Sequence, residues 1–94
     1  MIIGACSLEL YLPGSHSLKD KRHILKPLLA RLRREFNLAT AEVDHNDLWQ
    51  SAEIAFVTVA NDPGYVNSLL EKTVRWIEIH RPDVQVVDWQ IEIL

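Results

Sequence analysis

The spacing of apolar residues alternates along this chain between a period of two and a period near 3.6, which restricts the fold more than any other feature. The segment from Ile2 to Leu12 alternates, with Cys6 and Leu8 on one side and Ser7 and Glu9 on the other. Strict alternation predicts a half-buried strand. Pro13-Gly14 then predicts its end.

A helical period follows. Ser17 and Asp20 have the spacing of a capping box and predict the start of a helix. Its apolar positions fall within an arc of about 100° at 100° per residue; they are Leu18, Leu25, Leu28, Leu29, Leu32 and Phe36. Pro27 lies opposite this arc and predicts a bend, because proline removes a helical hydrogen bond. A helix beginning later, near Lys26, is the alternative.

The middle of the chain has the pattern of a β-hairpin. Leu38–Asp44 and Trp49–Ala60 each have strand composition, and the polar turn His45-Asn46-Asp47 lies between them. The hairpin predicts two adjacent antiparallel strands.

A second helix and a last strand complete the chain. Asp62 and Pro63 predict a capped helix start, and Arg81-Pro82-Asp83 predicts the end of that helix. The predicted buried face consists of Val66, Leu69, Leu70, Thr73, Val74 and Ile77. The final strand runs from Val84 to Leu94, and one of its sides is predicted to carry Val87, Trp89, Ile91 and Ile93.

The order strand, helix, strand, strand, helix, strand is the βαββαβ pattern of an α+β, ferredoxin-like fold. Right-handed crossovers give a four-stranded antiparallel sheet in the order 4-1-3-2, with two helices on one face and the other face open. A length of 94 residues fits a single domain over residues 1–94.

Composition narrows the class of protein. The net charge is −3, no apolar run reaches the length of a membrane span, and the amino terminus enters a strand pattern without the charged start of a signal peptide. Cys6, the single cysteine, can form no internal disulfide, and its place in the first strand predicts a buried apolar role. We therefore expect a cytoplasmic protein that makes no membrane contact.

Two segments, His16–Arg22 and Ala41–Gln50, resemble the signature segments of the YlxP-like family of small bacterial proteins of unknown function. Val59–Asp62 and Ile91–Leu94 resemble that family as well, and Pro27 departs from its usual pattern. The resemblance implies a ferredoxin-like fold. Members are often encoded beside genes for translation initiation and ribosome maturation, which implies a ribosome-linked role by association. No catalytic residues are established for the family, so none is carried over.

Seven of the ten Lys and Arg residues lie between Lys19 and Arg34, with Asp20 as the one acid before Arg34. Arg31 can pair with Glu35 one turn later. The others predict a row of cations for a phosphate backbone: Lys19, Lys21, Arg22, Lys26, Arg33 and Arg34. The alternative is a solvated helix face whose cations meet the protein's own acids.

Other candidate sites are less specific. His16 and Ser17 lie at the predicted helix start, where free amides favour an anion; simple capping by Ser17 is the alternative. Asp44, His45 and Asp47 combine metal-binding and acid–base side chains, but a hairpin turn stabilised by its own Asp and Asn side chains explains them too. We expect no cofactor, no assigned catalytic residue and no resident metal.

The open sheet face lacks the aromatic residues on which RNA-recognition motifs of this fold stack bases. Ala55 and Val57 instead predict a protein contact such as a homodimer. Trp76 lies off the buried arc of the second helix and predicts either an interface anchor or the closed edge of a small core, whereas Trp89 is predicted to pack in the core.

Three functions remain open. The leading hypothesis is a non-enzymatic module that docks on RNA, on a ribosomal subunit, through its first helix. The second is a homo-oligomeric interaction module, and the third is a small enzyme that uses Asp44, His45 and Asp47.

Overall fold

The computed structural model describes all 94 residues and contains four strands and two helices in the predicted order. Their bounds are β1 Ile2–Tyr11, α1 Leu18–Phe36, β2 Ala39–Asp44, β3 Ser51–Ala60, α2 Pro63–His80 and β4 Gln85–Ile93. The ferredoxin-like fold is confirmed.

The sheet is antiparallel throughout, with strands in the order β2-β3-β1-β4. This is the predicted order 4-1-3-2 read from the other edge. β1 and β3 pair over their full length, from Ile2 opposite Ala60 to Tyr11 opposite Ser51. Since neighbouring residues of a strand point to opposite faces, the even-numbered residues of the two central strands share one face and the odd-numbered residues share the other.

The hydrophobic core lies between the even-numbered face of the sheet and both helices. Its largest fully buried side chains include Phe56, Leu8 and Leu10 from the sheet, Leu28 from α1 and Ile77 from α2. The opposite, odd-numbered face has no covering element and is the open face. The helices contact each other little, so each is stabilised mainly by the apolar surface that it buries on the sheet.

The amino terminus of α1 is capped as the sequence predicts. Ser17 Oγ accepts a hydrogen bond from the amide of Asp20 at 3.0 Å, and the Asp20 carboxylate accepts one from the amide of His16 at 3.0 Å. The helix continues without a break past the exposed Pro27, so the alternative start near Lys26 is wrong. It ends at Asn37, whose φ of 54° is left-handed.

Two irregularities change the predicted faces of the edge strands. The register between β1 and β4 shifts between Glu9 and Leu10, so Val86 packs against the core and Val87 is 59% exposed. The prediction that Val87 shares one side of the strand with Trp89, Ile91 and Ile93 is therefore wrong. Trp89 lies opposite Leu8 but is 41% exposed, so the prediction that it packs in the core is wrong.

Candidate nucleic-acid interface

Lys21 does not belong to an exposed row of cations. Its side chain is 3% exposed. Nζ donates to the backbone carbonyls of His45 at 2.6 Å and Leu48 at 2.7 Å, in the turn between β2 and β3, and to that of Ser51 at 2.9 Å, the first residue of β3. Glu42 Oε2 lies 2.7 Å from the same nitrogen. The prediction that Lys21 contacts a nucleic acid is wrong, because its charge is already neutralised inside the protein.

The ammonium of Lys21 has three protons but four oxygen neighbours. The carbonyls take the protons, so Glu42 Oε2 is held by charge and accepts no hydrogen bond of its own. Glu42 lies opposite Ile54 in the regular part of β2 and therefore faces α1, whereas the register shift after Glu42 places Asp44 opposite Glu53 on the open face. Glu42 and Asp44 therefore lie on opposite faces of the sheet.

The helical count contained the signal that places Lys21 in the interior. At 100° per residue, Lys21 falls between Leu28 and Leu32, inside the apolar arc. A lysine at such a position must either extend its tip to solvent or find buried acceptors. Sequence reasoning missed the acceptors because they are main-chain carbonyls, which no residue type marks.

Four of the predicted cations form what we call the basic ridge of α1, within about 60° of one another on the helix: Lys19, Arg22, Lys26 and Arg33. All four residues are exposed, and none forms an ion pair with a carboxylate of the protein. Arg33 donates to the carbonyl of Thr40 at 3.1 Å, which orients its guanidinium without neutralising it. Arg34 is also exposed and unpaired but lies on the other flank of α1. Arg31 pairs with Glu35 at 2.9 Å, as predicted.

A cavity of about 250 Å³ opens beside the ridge, between α1 and the hairpin. Arg22 and Lys26 line one side of it, and Glu42 and Asn46 line the other. Leucines of α1 form the apolar part of its wall. Lys21 and Glu42 also lie in this wall, and their ion pair joins α1 to the hairpin across the cavity.

Side chains of the protein already cap the amino terminus of α1. The amides predicted to bind an anion near His16 and Ser17 are taken by the Asp20 carboxylate and by Ser17 Oγ. The alternative of simple capping describes this end of the helix.

Asp44, His45 and Asp47 lie in and beside the turn that joins β2 to β3. His45 has a left-handed φ of 62°, its amide donates to Asp44 Oδ1 at 2.8 Å, and its Nδ1 lies 2.9 Å from Ser51 Oγ. No group of three or more His, Cys, Asp or Glu side chains in the structure is arranged to hold a metal ion. The cluster has the geometry of a turn stabilised by its own side chains.

The open face divides into an acidic part and an apolar part. Asp44, Glu53, Glu9 and Asp88 form a row across all four strands, each opposite the next. The apolar part includes Ala55, Val57 and Val59, and Val57 is 38% exposed. No Lys or Arg occurs in any strand, so the acids of this face have no cation beside them on the sheet.

Trp76 does not stand free as an interface anchor. It is half-buried, makes an edge contact with Phe36 at 5.8 Å between ring centroids and stacks on His80 at 5.0 Å. The alternative, that it closes the edge of the core, fits these contacts.

Cys6 is fully buried, and burial raises the pKa of its thiol from 9.0 to about 12. A thiol that stays protonated at neutral pH is a poor nucleophile, so the side chain serves as a small apolar core residue.

Neither helix is long and apolar enough to cross a membrane.

Comparison with known proteins identifies relatives without a known activity. The "Uncharacterized protein YlxP" of Bacillus subtilis (strain 168) is 27% identical over 77 residues, which cover 82% of this chain and 84% of that protein. Among solved structures, the de novo designed protein Foldit4 superimposes with a TM-score of 0.54 at 11% identity, covering 100% of this chain and 97% of that one; at that identity the likeness shows the fold alone. Residues 3–91 match the family described as "Protein of unknown function (DUF503)". The match spans nearly the whole chain and agrees with the YlxP-like segments, so the chain belongs to the DUF503 family.

Proposed function

We propose that this protein is a non-enzymatic, cytoplasmic binding module that contacts the phosphate backbone of RNA through the basic ridge of α1. The observation that carries the proposal is the charge left after internal pairing. Lys19, Arg22, Lys26 and Arg33 remain exposed and without a carboxylate partner. Ribosomal RNA is the partner that the gene neighbourhood of the family favours.

The position of the acids supports a polyanion as the ligand. The acids of the sheet that are free to repel it lie on the open face, on the far side of the sheet from α1. Glu42, the strand acid that faces α1, is neutralised by Lys21. An approaching phosphate therefore meets uncompensated positive charge, although the protein as a whole carries −3.

The contact is expected to involve phosphates more than bases. The ridge consists of long flexible cations, and no aromatic side chain belongs to it. Cations of this kind position a protein on a nucleic acid without reading its sequence. Arg33 is the most restrained of them, because Thr40 holds its guanidinium.

Binding of a fragment of ribosomal RNA, measured at two salt concentrations, tests the proposal. If the four ridge cations each neutralise one phosphate of a single strand, log K should fall with log salt with a slope of about −3. The variant Arg22→Glu/Lys26→Glu should bind far more weakly and with a shallower slope. Arg75→Glu is the matched control, since Arg75 is an exposed, unpaired cation on α2. Absence of binding at low salt, or equal loss in both variants, contradicts the proposal.

A homodimer through the open face is the second candidate. Ile3, Ala39, Val57 and Val59 surround a depression of about 460 Å³ at the apolar end of this face, and Val59 is 60% exposed. Two copies that join these ends would bury apolar surface while their acidic rows stay apart. Light scattering should then show a salt-resistant dimer that Val59→Glu dissociates. A monomer at high protein concentration contradicts this candidate.

A further inference from the structure

A groove of about 300 Å³ separates α1 from α2 on the flank of α1 away from the hairpin. Its lining consists of Pro27, Arg31, Arg34, Trp76, His80 and Arg81. Among the cavities of this protein, this groove alone has several cationic side chains and no carboxylate in its wall. The wall of the cavity beside the ridge contains Glu42, and the cavities on the open face are lined by acids or by uncharged side chains.

Two of the three guanidinium groups are held in place by acids outside the groove. Arg81 donates to both carboxylate oxygens of Asp83, at 3.0 and 2.7 Å, and to the carbonyl of Ile24 at 3.1 Å. Arg31 donates through Nε to Glu35 and lies over the Trp76 ring, with Cζ 5.4 Å from its centroid. These contacts fix the positions of both groups, and each retains further N–H donors. Arg34 has no carboxylate partner.

His80 lines the groove beside Trp76. Its ring stacks on Trp76 with an interplanar angle of 19°, and its Nδ1 lies 3.1 Å from the carbonyl of Trp76. A carbonyl can only accept, so Nδ1 carries the proton and Nε2 has no partner within the protein. Because His80 and Arg31 both lie against the Trp76 ring, that ring is not free to stack on a nucleobase.

We propose that this groove binds a phosphate group. Planar guanidinium forks match the oxygens of a phosphate and can bind it in a bidentate manner. Arg31 and Arg34 present such forks to one space, and Arg81 adds the N–H donors of its remaining Nη1. Arg81 and Arg31 are already immobilised, so less side-chain entropy is lost when the anion enters. The inference goes beyond the proposed function, because the groove and the basic ridge lie on different flanks of α1 and share no residue.

Titration with inorganic phosphate, followed by the NMR signal of the Trp76 indole N–H, tests the site. The signal is assigned by its loss in Trp76→Phe, and chloride at equal ionic strength serves as the reference. We expect a saturable shift, and about tenfold weaker binding in Arg34→Gln, since this variant removes a charge-assisted hydrogen bond. Arg75→Gln, outside the groove, should bind as the wild type does. A shift that chloride reproduces, or one that Arg34→Gln leaves unchanged, overturns the proposal.

A phosphate in this groove has two sources, a nucleic-acid backbone or a small phosphorylated molecule, and competition separates them. If an oligoribonucleotide displaces inorganic phosphate from the groove in Arg22→Glu/Lys26→Glu, the backbone is the source. If ribose 5-phosphate displaces it and the oligonucleotide does not, the source is the small molecule. RNA binding that depends on the ridge, together with no saturable phosphate shift, overturns the groove and leaves the proposed function intact.

Discussion

Lys21 shows at the scale of one residue how a charge can be structural. Its ammonium joins the start of α1 to three carbonyls near the β2–β3 turn and to Glu42, across 24 to 30 residues of sequence for the carbonyls. Burial of a cation is costly unless hydrogen bonds and an opposite charge replace its water, and all of these replacements are present. Lys21 thus orders the hairpin that faces the basic ridge.

Lys21→Met should therefore destabilise the protein by about 3–5 kcal/mol, because it leaves three carbonyls and the buried Oε2 of Glu42 without their partner. Urea denaturation measures the change. The double variant Lys21→Met/Glu42→Gln should be more stable than Lys21→Met alone, since no unpaired charge remains. Lys19→Met, on the exposed ridge, should change stability by less than about 0.5 kcal/mol. Similar effects of the two lysine variants contradict the structural role.

Cys6 predicts a specific dependence on alkaline pH. Burial raises the pKa of the thiol from 9.0 to about 12, so above pH 9 the unfolded chain loses this proton while the folded protein keeps it. The stability that this group contributes is complete below pH 9 and is lost as pH rises toward 12. The free energy of unfolding should fall more between pH 7 and about 10 in the wild type than in Cys6→Ala. Urea denaturation measures both losses, and equal losses in the two proteins contradict the raised pKa of Cys6.

At the scale of elements, α2 packs on β1 where β1 has no side chain. A methyl group added at Gly4 would overlap Val66 Cγ1 and come within 3.0 Å of Leu70 Cδ1. These two residues lie on the buried face of α2. Gly4 thus sets how closely the helix approaches the centre of the sheet.

Gly4→Ala should destabilise the protein by about 1–3 kcal/mol through overpacking. Val66→Ala makes room for the new methyl group, so the double variant should lose less stability than the sum of the two single losses. Gly14→Ala is the control, because a methyl group there meets no atom within 4 Å. Thermal denaturation of the four variants provides the comparison. Additive losses contradict close contact between β1 and α2 at this point.

The elements themselves follow from the sequence because each has a clear period and a clear boundary. Ser17, Asp62 and the central hairpin turn mark where elements begin and end, and the structure uses all of them. The faces of the edge strands do not follow, because a register shift reverses them. No residue type marks the shift after Glu42, which separates Glu42 from Asp44, or the one that turns Val87 outward. The acceptors of Lys21 could not be predicted either, because they are backbone carbonyls, which every residue has.

At the scale of the whole molecule, charge is separated between the two layers. All ten Lys and Arg residues lie in α1, in α2 or at Arg81. The open face carries Asp44, Glu53, Glu9 and Asp88 in one row, as well as Glu92. The core separates the open face of the sheet from the outer faces of the helices, and charges are screened beyond about 8 Å at physiological ionic strength. Neither layer therefore neutralises the other, and each layer repels itself.

Added salt should consequently stabilise the protein, because it screens repulsion within each layer while the buried pair of Lys21 and Glu42 is little affected. Glu9 faces Glu53 on one side and Asp88 on the other. Glu9→Gln should raise the free energy of unfolding at low salt by about 0.2–1 kcal/mol, since like charges directly opposite in a sheet are destabilising. It should also reduce the increase in stability on going from about 0.02 to 0.5 M NaCl.

Glu78→Gln is the matched control for this prediction, because Glu78 is an exposed glutamate of α2 without an ion-pair partner. It removes the same charge but lies outside the acidic row, so it should neither stabilise the protein to the same degree nor alter the salt dependence. Equal effects of the two variants would mean that stability responds only to net charge. A larger effect of Glu9→Gln shows that the row is strained by its own charge, which is the state that a protein with one acidic and one basic layer is expected to adopt.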